Sequence, residues 1–316
     1  MVLPIEQRDV AIELSKPVTV TMTNLLNLTH ITPKPCRRMI RYITIPGPHT
    51  NYQHPKCYAN GDRNCSTKIS GEHFISKTYL TQIELNDTTK IAGLAWQEPR
   101  TFSIVPTKGL ASNILCKRHN PALNGLDTEF GSFTNTIRDF DRGQTVAATR
   151  TCSGRKLELW FLKCLLGLAK SGNIHGSLKP ECVDILFERQ RWPREWGLYY
   201  FIGSGAGTIY HTDSLGVEAL VTPDRTTVLA GKFFVQGLPF ILVMGKPGDP
   251  RAFGLWHPRE IIFKFPTVEK RLALSWDGQA GTDSVILTRA GTYDGPPPIW
   301  EEWGKKGLVS GAGDFT

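Results

Sequence analysis

Four metal-ligating side chains, arriving as two pairs, constrain this chain more than any other feature. Cys57 and Cys65 lie in or just beyond a stretch, Pro46 to Asn64, that is rich in Gly, Pro, Asn, His and Tyr and poor in apolar periodicity. Such a stretch is loop unless a centre outside its own packing orders it, and a metal ion is the simplest such centre. Seven residues separate the two thiols, among them the turn sequence Asn60-Gly61-Asp62, which can fold both back toward one ion. Cys116 and His119 are three apart where a helix is expected to begin, so they share a face and the helix N-terminus favours a thiolate. Three sulfurs and an imidazole suit tetrahedral zinc. His54, three residues before Cys57, is an alternative to Cys65 as ligand.

Harder donors stand beside these pairs. Glu72 and Asn120 offer oxygens of the kind that hold magnesium or manganese, and His73 is then left as a candidate general base. Adjacent strand residues point to opposite faces, so Glu72 and His73 can serve one site only if the strand bends, and Gly71 is the expected hinge. Pro121 fits a first helical turn and places Asn120 near the N-cap, where Asn is favoured for its own sake. Asn124 and Asp127 add further oxygens, although such positions are ordinarily a helix's solvated face. Cys152, Cys164 and Cys182 are expected to take no part.

The spacing of Leu123, Leu126, Phe130, Phe133, Ile137 and Phe140 predicts an amphipathic helix after Asn120. A second helix is expected from about Arg155 to Ala169, with Leu157, Trp160, Phe161, Cys164, Leu165 and Leu168 on one stripe. Strands are expected at Pro17–Met22 and Ile40–Ile45, and again at Leu198–Ile202, Val217–Val221, Lys232–Val235, Phe240–Val243, Glu260–Phe265 and Arg271–Trp276. Gly237-Leu238-Pro239 is expected as a hairpin turn, as is the Gly203-x-Gly205-x-Gly207 run, since no helix follows it. The expected division is an N-terminal strand layer or arm (1–45), a metal unit (46–146) and a C-terminal, largely antiparallel β domain with a preceding helix (147–316).

With 316 residues and 40% hydrophobic content the chain can form an ordinary core, and a formal net charge of +8 favours a polyanionic partner without deciding which. Lys117-Arg118, next to the second ligand pair, are the basic residues best placed to meet phosphates; Arg37-Arg38 with Arg41, and Arg189 to Arg194, are further clusters. No run of about 20 apolar residues suggests a membrane span, and the early charges Glu6, Arg8 and Asp9 do not suit a signal peptide. Seven cysteines, an odd number, point to a reducing compartment and a cytoplasmic protein.

The order Cys57…Cys65…Glu72-His73…Cys116-x-x-His119-Asn120, followed by the amphipathic helix, resembles zinc-stabilised HNH endonucleases of the ββα-metal fold, a treble-clef-like unit. The resemblance covers about residues 57 to 142, and the segment Ile69 to Lys77 is similar to one in uncharacterised bacterial proteins with the same helix pattern. It implies an α+β protein in which Cys57, Cys65, Cys116 and His119 hold a structural zinc, Glu72 and Asn120 hold a catalytic magnesium or manganese ion, and His73 is the base. The implied activity is metal-dependent cleavage of nucleic acid, DNA in the first place, with bacterial defence as a setting. This chain departs in two ways: its second pair is Cys-His, and the long interval before Cys116 implies an inserted hairpin near Lys90 to Val105. The alternative is a non-catalytic zinc-stabilised module that binds nucleic acid or protein, and the C-terminal domain is left to select substrate, a partner or a second copy.

Overall fold

The computed structural model describes residues 18–23, 42–98, 101–142, 146–193, 196–201, 215–245, 250, 254–276 and 283–289. In chain order the first strands are β1 (Val18–Thr23), β2 (Ile69–His73), β3 (Thr88–Ala92), β4 (Phe102–Pro106), β5 (Ala111–Cys116) and β6 (Ala148–Ser153). They are followed by β7 (Gly197–Phe201), β8 (Leu215–Val221), β9 (Val228–Val235) and β10 (Leu238–Val243). The last are β11 (Leu255–Trp256), β12 (Pro258–Lys264), β13 (Glu269–Ser275) and β14 (Asp283–Arg289). The helices are α1 (Lys77–Ile83), α2 (His119–Ala122), α3 (Asn124–Arg142), α4 (Gly154–Lys170) and α5 (Glu181–Leu186). The architecture is α+β and mostly strand.

Among the described residues the strands form three sheets: a seven-stranded one in the order β11-β7-β10-β9-β8-β3-β4, a five-stranded one in the order β1-β14-β12-β13-β6, and the two-stranded ribbon β2-β5. Neighbours in the seven-stranded sheet are antiparallel except β3 and β8. The five-stranded sheet is mixed, with β12–β14 and β13–β6 parallel. The expected hairpin between Lys90 and Val105 is the pair β3–β4, which joins the large sheet through β8. β1, expected as part of a separate N-terminal layer, pairs instead with β14 at the far end of the chain. Strand pairing therefore crosses both boundaries drawn from the sequence, and among the described residues the main buried core runs from Ile43 to Leu287, beside a smaller cluster of Phe201, Ala230, Ile241, Val243 and Leu255.

Residues 42–45 form no strand, while the expected C-terminal strands appear as β7 to β10, β12 and β13. The β9–β10 turn is Gln236-Gly237, one residue earlier than expected, and both residues have positive φ (48° and 76°), the geometry of a two-residue hairpin and the reason a glycine is needed there. The Gly203 run, the cluster Arg37, Arg38 and Arg41, and the tail from Gly304 lie outside the described residues.

Helix α4 holds the assembly together. Ser153 caps it by accepting from the Lys156 amide, and residues Leu157 to Leu168 are all buried. On one side Trp160 stacks on Phe130 of α3 with ring planes 5° apart. On another, Phe161 meets Phe233 and Phe240 of the large sheet at 4.8 and 5.6 Å. Each such buried aromatic contributes about 1.5–3 kcal/mol relative to an exposed one. At Gly167 the helix comes so close to the end of β2 that an added Cβ would lie 2.4 Å from Phe74 Cβ. Strand β2, which carries Glu72 and His73, is thereby fixed against α4.

Candidate metal centre

Cys57, Cys65, Cys116 and His119 converge, all four buried, with their ligand atoms within 4.8 Å of one another. His119 Nδ1 lies 3.5 Å from Cys57 Sγ, 3.8 Å from Cys65 Sγ and 3.2 Å from Cys116 Sγ. For zinc bonded at about 2.3 Å to sulfur and about 2.0 Å to nitrogen, tetrahedral geometry puts sulfur and nitrogen roughly 3.5 Å apart. The cluster is of the size and chemistry that holds zinc. His54 is outside it: its Nδ1 accepts from the Lys56 amide and its carbonyl from the Cys57 amide.

The backbone prepares the site. A tight turn over Asn60–Asp62, closed by Arg63 at φ 56°, folds the chain between the cysteines, and amides of Tyr58 and Cys65 bond to the carbonyls of Ile114 and Tyr52. Cys116 ends β5 and His119 opens α2, so strand and helix each deliver one ligand of the second pair. The amides of Ser66 and His119 both point at Cys116 Sγ, 3.4 Å away. Burial opposes ionisation of Cys116, but the amides of His119, Ser66 and Arg118 outweigh it and bring this thiol down to about 6. Burial pushes the Cys57 and Cys65 thiols up, so an ion must displace their protons.

A second layer of support is absent from the sequence reading. His119 Nε2 faces Asp62 Oδ2 at 3.1 Å, and a proton there leaves the Nδ1 lone pair for the metal. Asp62 is held in turn by Arg189 Nη1 at 2.7 Å, and Arg189 Nε also donates to Asp184. The Phe187 ring packs edge-on against the His119 ring with centroids 5.2 Å apart. Glu188 accepts from the amides of Tyr42 and Ile43, securing the chain just before the metal loop. Phe187-Glu188-Arg189, directly after α5, thus braces the centre from a region more than 60 residues downstream of its last ligand.

The harder donors do not assemble into one site. Ser70↔Leu115 and Glu72↔Ser112 differ by one register step, so an extra β5 residue bulges opposite Gly71 and supplies the bend expected at Gly71 itself. Glu72, only 3% exposed, places Oε1 2.8 Å from Lys163 Nζ of α4. That contact is an ion pair by distance without directed hydrogen-bond geometry, whereas both oxygens of Asp127 accept from the same Nζ at 2.7 and 2.8 Å. Asp127, at the start of α3, also accepts from Trp160 Nε1. Asn120, expected near the N-cap, is the second residue of α2, two past the cap Arg118, and its amide donates to Ser70 Oγ at 3.0 Å. His73 is half-buried, and burial, then Lys77 and Lys163, push its imidazole below its ordinary value. Arg118 spends its guanidinium on the carbonyls of Gly47 and Pro48, and Lys117 is exposed.

Comparison with family models, with curated proteins and with solved structures returned no match. No helix among the described residues is long and apolar enough to cross a membrane.

Proposed function

We propose that residues 57–142 are a zinc-stabilised ββα-metal unit that hydrolyses phosphodiester bonds in nucleic acid, DNA in the first place, with His73 as general base. The observation that carries this reading is topological: the antiparallel ribbon β2–β5 bears Glu72-His73 on one strand and runs directly from the other into Cys116, His119 and the long helix α3. Burial, then Lys77 and Lys163, favour the neutral form of His73, and a neutral imidazole can take a proton from an attacking water. Lys77 and Lys117, both exposed, offer charge to phosphates, as does the formal net charge of +8. Arg118 contributes by holding the loop at Gly47 and Pro48.

The magnesium or manganese ion that this family implies does not fit the present arrangement of Glu72 and Asn120. The Glu72 carboxylate faces an ammonium and the Asn120 side chain is bonded to Ser70, so no step is assigned to such an ion. The zinc site fits its ion, and that ion's part is to fix the ribbon, the loop and the helix. Thiolate ligands require a reducing compartment, in keeping with a cytoplasmic protein in bacterial defence. The large sheet, which shares β3 and β4 with the metal unit, is the surface left for selecting substrate, a partner or a second copy.

The second reading, a non-catalytic zinc-stabilised module that binds nucleic acid or protein, is favoured by the burial of Glu72 against Lys163. Cleavage of supercoiled plasmid and single-stranded DNA by zinc-replete wild type and by folded His73→Ala, with and without added magnesium or manganese, separates the two. Cleavage lost in the variant supports the hydrolase. Binding without cleavage, or equal cleavage by both, supports the module.

A further inference from the structure

Three carboxylate oxygens surround a single nitrogen at the junction of β2, α3 and α4. Lys163 Nζ lies 2.8 Å from Glu72 Oε1 and 2.7 and 2.8 Å from the two oxygens of Asp127. An ammonium has three N–H donors, and three oxygens face it. Its side chain is 2% exposed and rises from the middle of a helix whose neighbouring residues Leu162 and Cys164 are also buried, while its partner Asp127 is 23% exposed. Trp160 Nε1 fixes Asp127 Oδ1 from the side at 3.1 Å.

With the amine deleted, three carboxylate oxygens from Glu72 and Asp127 would face the place it leaves, the donor type of a hard divalent cation. With the amine present, the place is filled and positively charged. We propose that Lys163 is the resident cation of the Glu72–Asp127 pair: the native protein binds no magnesium or manganese there, and loss of the amine opens a divalent-cation site. Only the identification of this place with the cation position of a ββα-metal unit rests on the hydrolase reading; the contacts themselves do not. The ammonium does for folding what a metal would do, joining the ribbon to both long helices.

The test is titration of the zinc-replete full chain with manganous ion, followed by electron paramagnetic resonance, for wild type, Lys163→Met and the double variant Glu72→Gln/Lys163→Met. The proposal expects no bound manganese in wild type, one ion per chain in Lys163→Met, and none in the double variant. Where Lys163→Met is unfolded alone, refolding by added manganese is the expected equivalent, read as restored near-UV circular dichroism. Overturning results are one manganese in wild type that Asp127→Asn abolishes, or a Lys163→Met chain that neither binds manganese nor is stabilised by it. Because the readout is binding, failure to cleave any substrate would remove the hydrolase reading and leave this result standing.

Discussion

Replacing Asp62 by alanine should weaken zinc binding although Asp62 touches no metal. Its Oδ2 sits 3.1 Å from His119 Nε2 and 2.7 Å from Arg189 Nη1, and its Oδ1 accepts from the Asn64 amide inside the turn between the cysteines. The substitution removes the acceptor that holds the proton on Nε2, frees the imidazole to rotate beside the edge-on Phe187 ring, and loosens the turn. Loss of such an outer partner costs about 10–100-fold in metal affinity, which corresponds to about 1.4–2.7 kcal/mol. Arg189→Ala, which leaves Asp62 in place but less fixed, should cost less. Asp184→Asn is the control: its pair with Arg189 is at the surface, where such contacts contribute about 0–1 kcal/mol. Competition with a chromogenic chelator at fixed pH measures all three. If Asp62→Ala binds zinc within twofold of wild type while its fold is intact, the reasoning about His119 is wrong.

Other consequences are equally open to measurement. Gly167→Ala should destabilise the protein by about 1–3 kcal/mol in denaturant unfolding, because its Cβ would lie 2.4 Å from Phe74 Cβ and helix and strand must separate. Zinc affinity should fall as pH falls, since Cys57 and Cys65, whose thiols burial pushes up, must lose their protons on binding; calorimetry in buffers of different ionisation enthalpy should show proton release. In the hydrolase reading the base is the neutral form of His73, so the midpoint of the acid-side decline in cleavage should lie below the ordinary imidazole value of 6.5, as its lowered pKa requires. A decline already complete at pH 6.5 would exclude His73 as that base.

Parts of this arrangement were legible in the sequence for physical reasons. Leu126, Phe130, Phe133, Ile137 and Phe140 are all buried on α3, and Leu123 is buried where α2 meets it, because a regular apolar spacing leaves a helix one face to bury. The two ligand pairs were legible because the loop around Cys57 has little apolar periodicity of its own while its thiols recur with a Cys-x-x-His further on. What escaped was long-range. The pairing of β1 with β14 and of β3 with β8 depends on which sheet edge is open, and no local pattern encodes that. Asp127 reads locally as a solvated helix position and Glu72 as a metal ligand, yet both serve Lys163. One signal did exist: Lys163 interrupts an otherwise apolar run, Trp160 to Leu168, on a helix that is hydrophobic nearly all round, and a lysine there must find anions. The brace at Phe187-Glu188-Arg189 left no comparable trace.

That the Cys57, Cys65, Cys116 and His119 cluster holds zinc is the central claim, and X-ray absorption at the zinc edge on the purified full chain tests it most directly. The account predicts one zinc per chain, coordinated by three sulfurs at about 2.3 Å and one imidazole nitrogen at about 2.0 Å, with Cys65→Ala losing one sulfur. Two sulfurs and two nitrogens, a shell of oxygens, or no bound zinc in protein purified without chelator would contradict it.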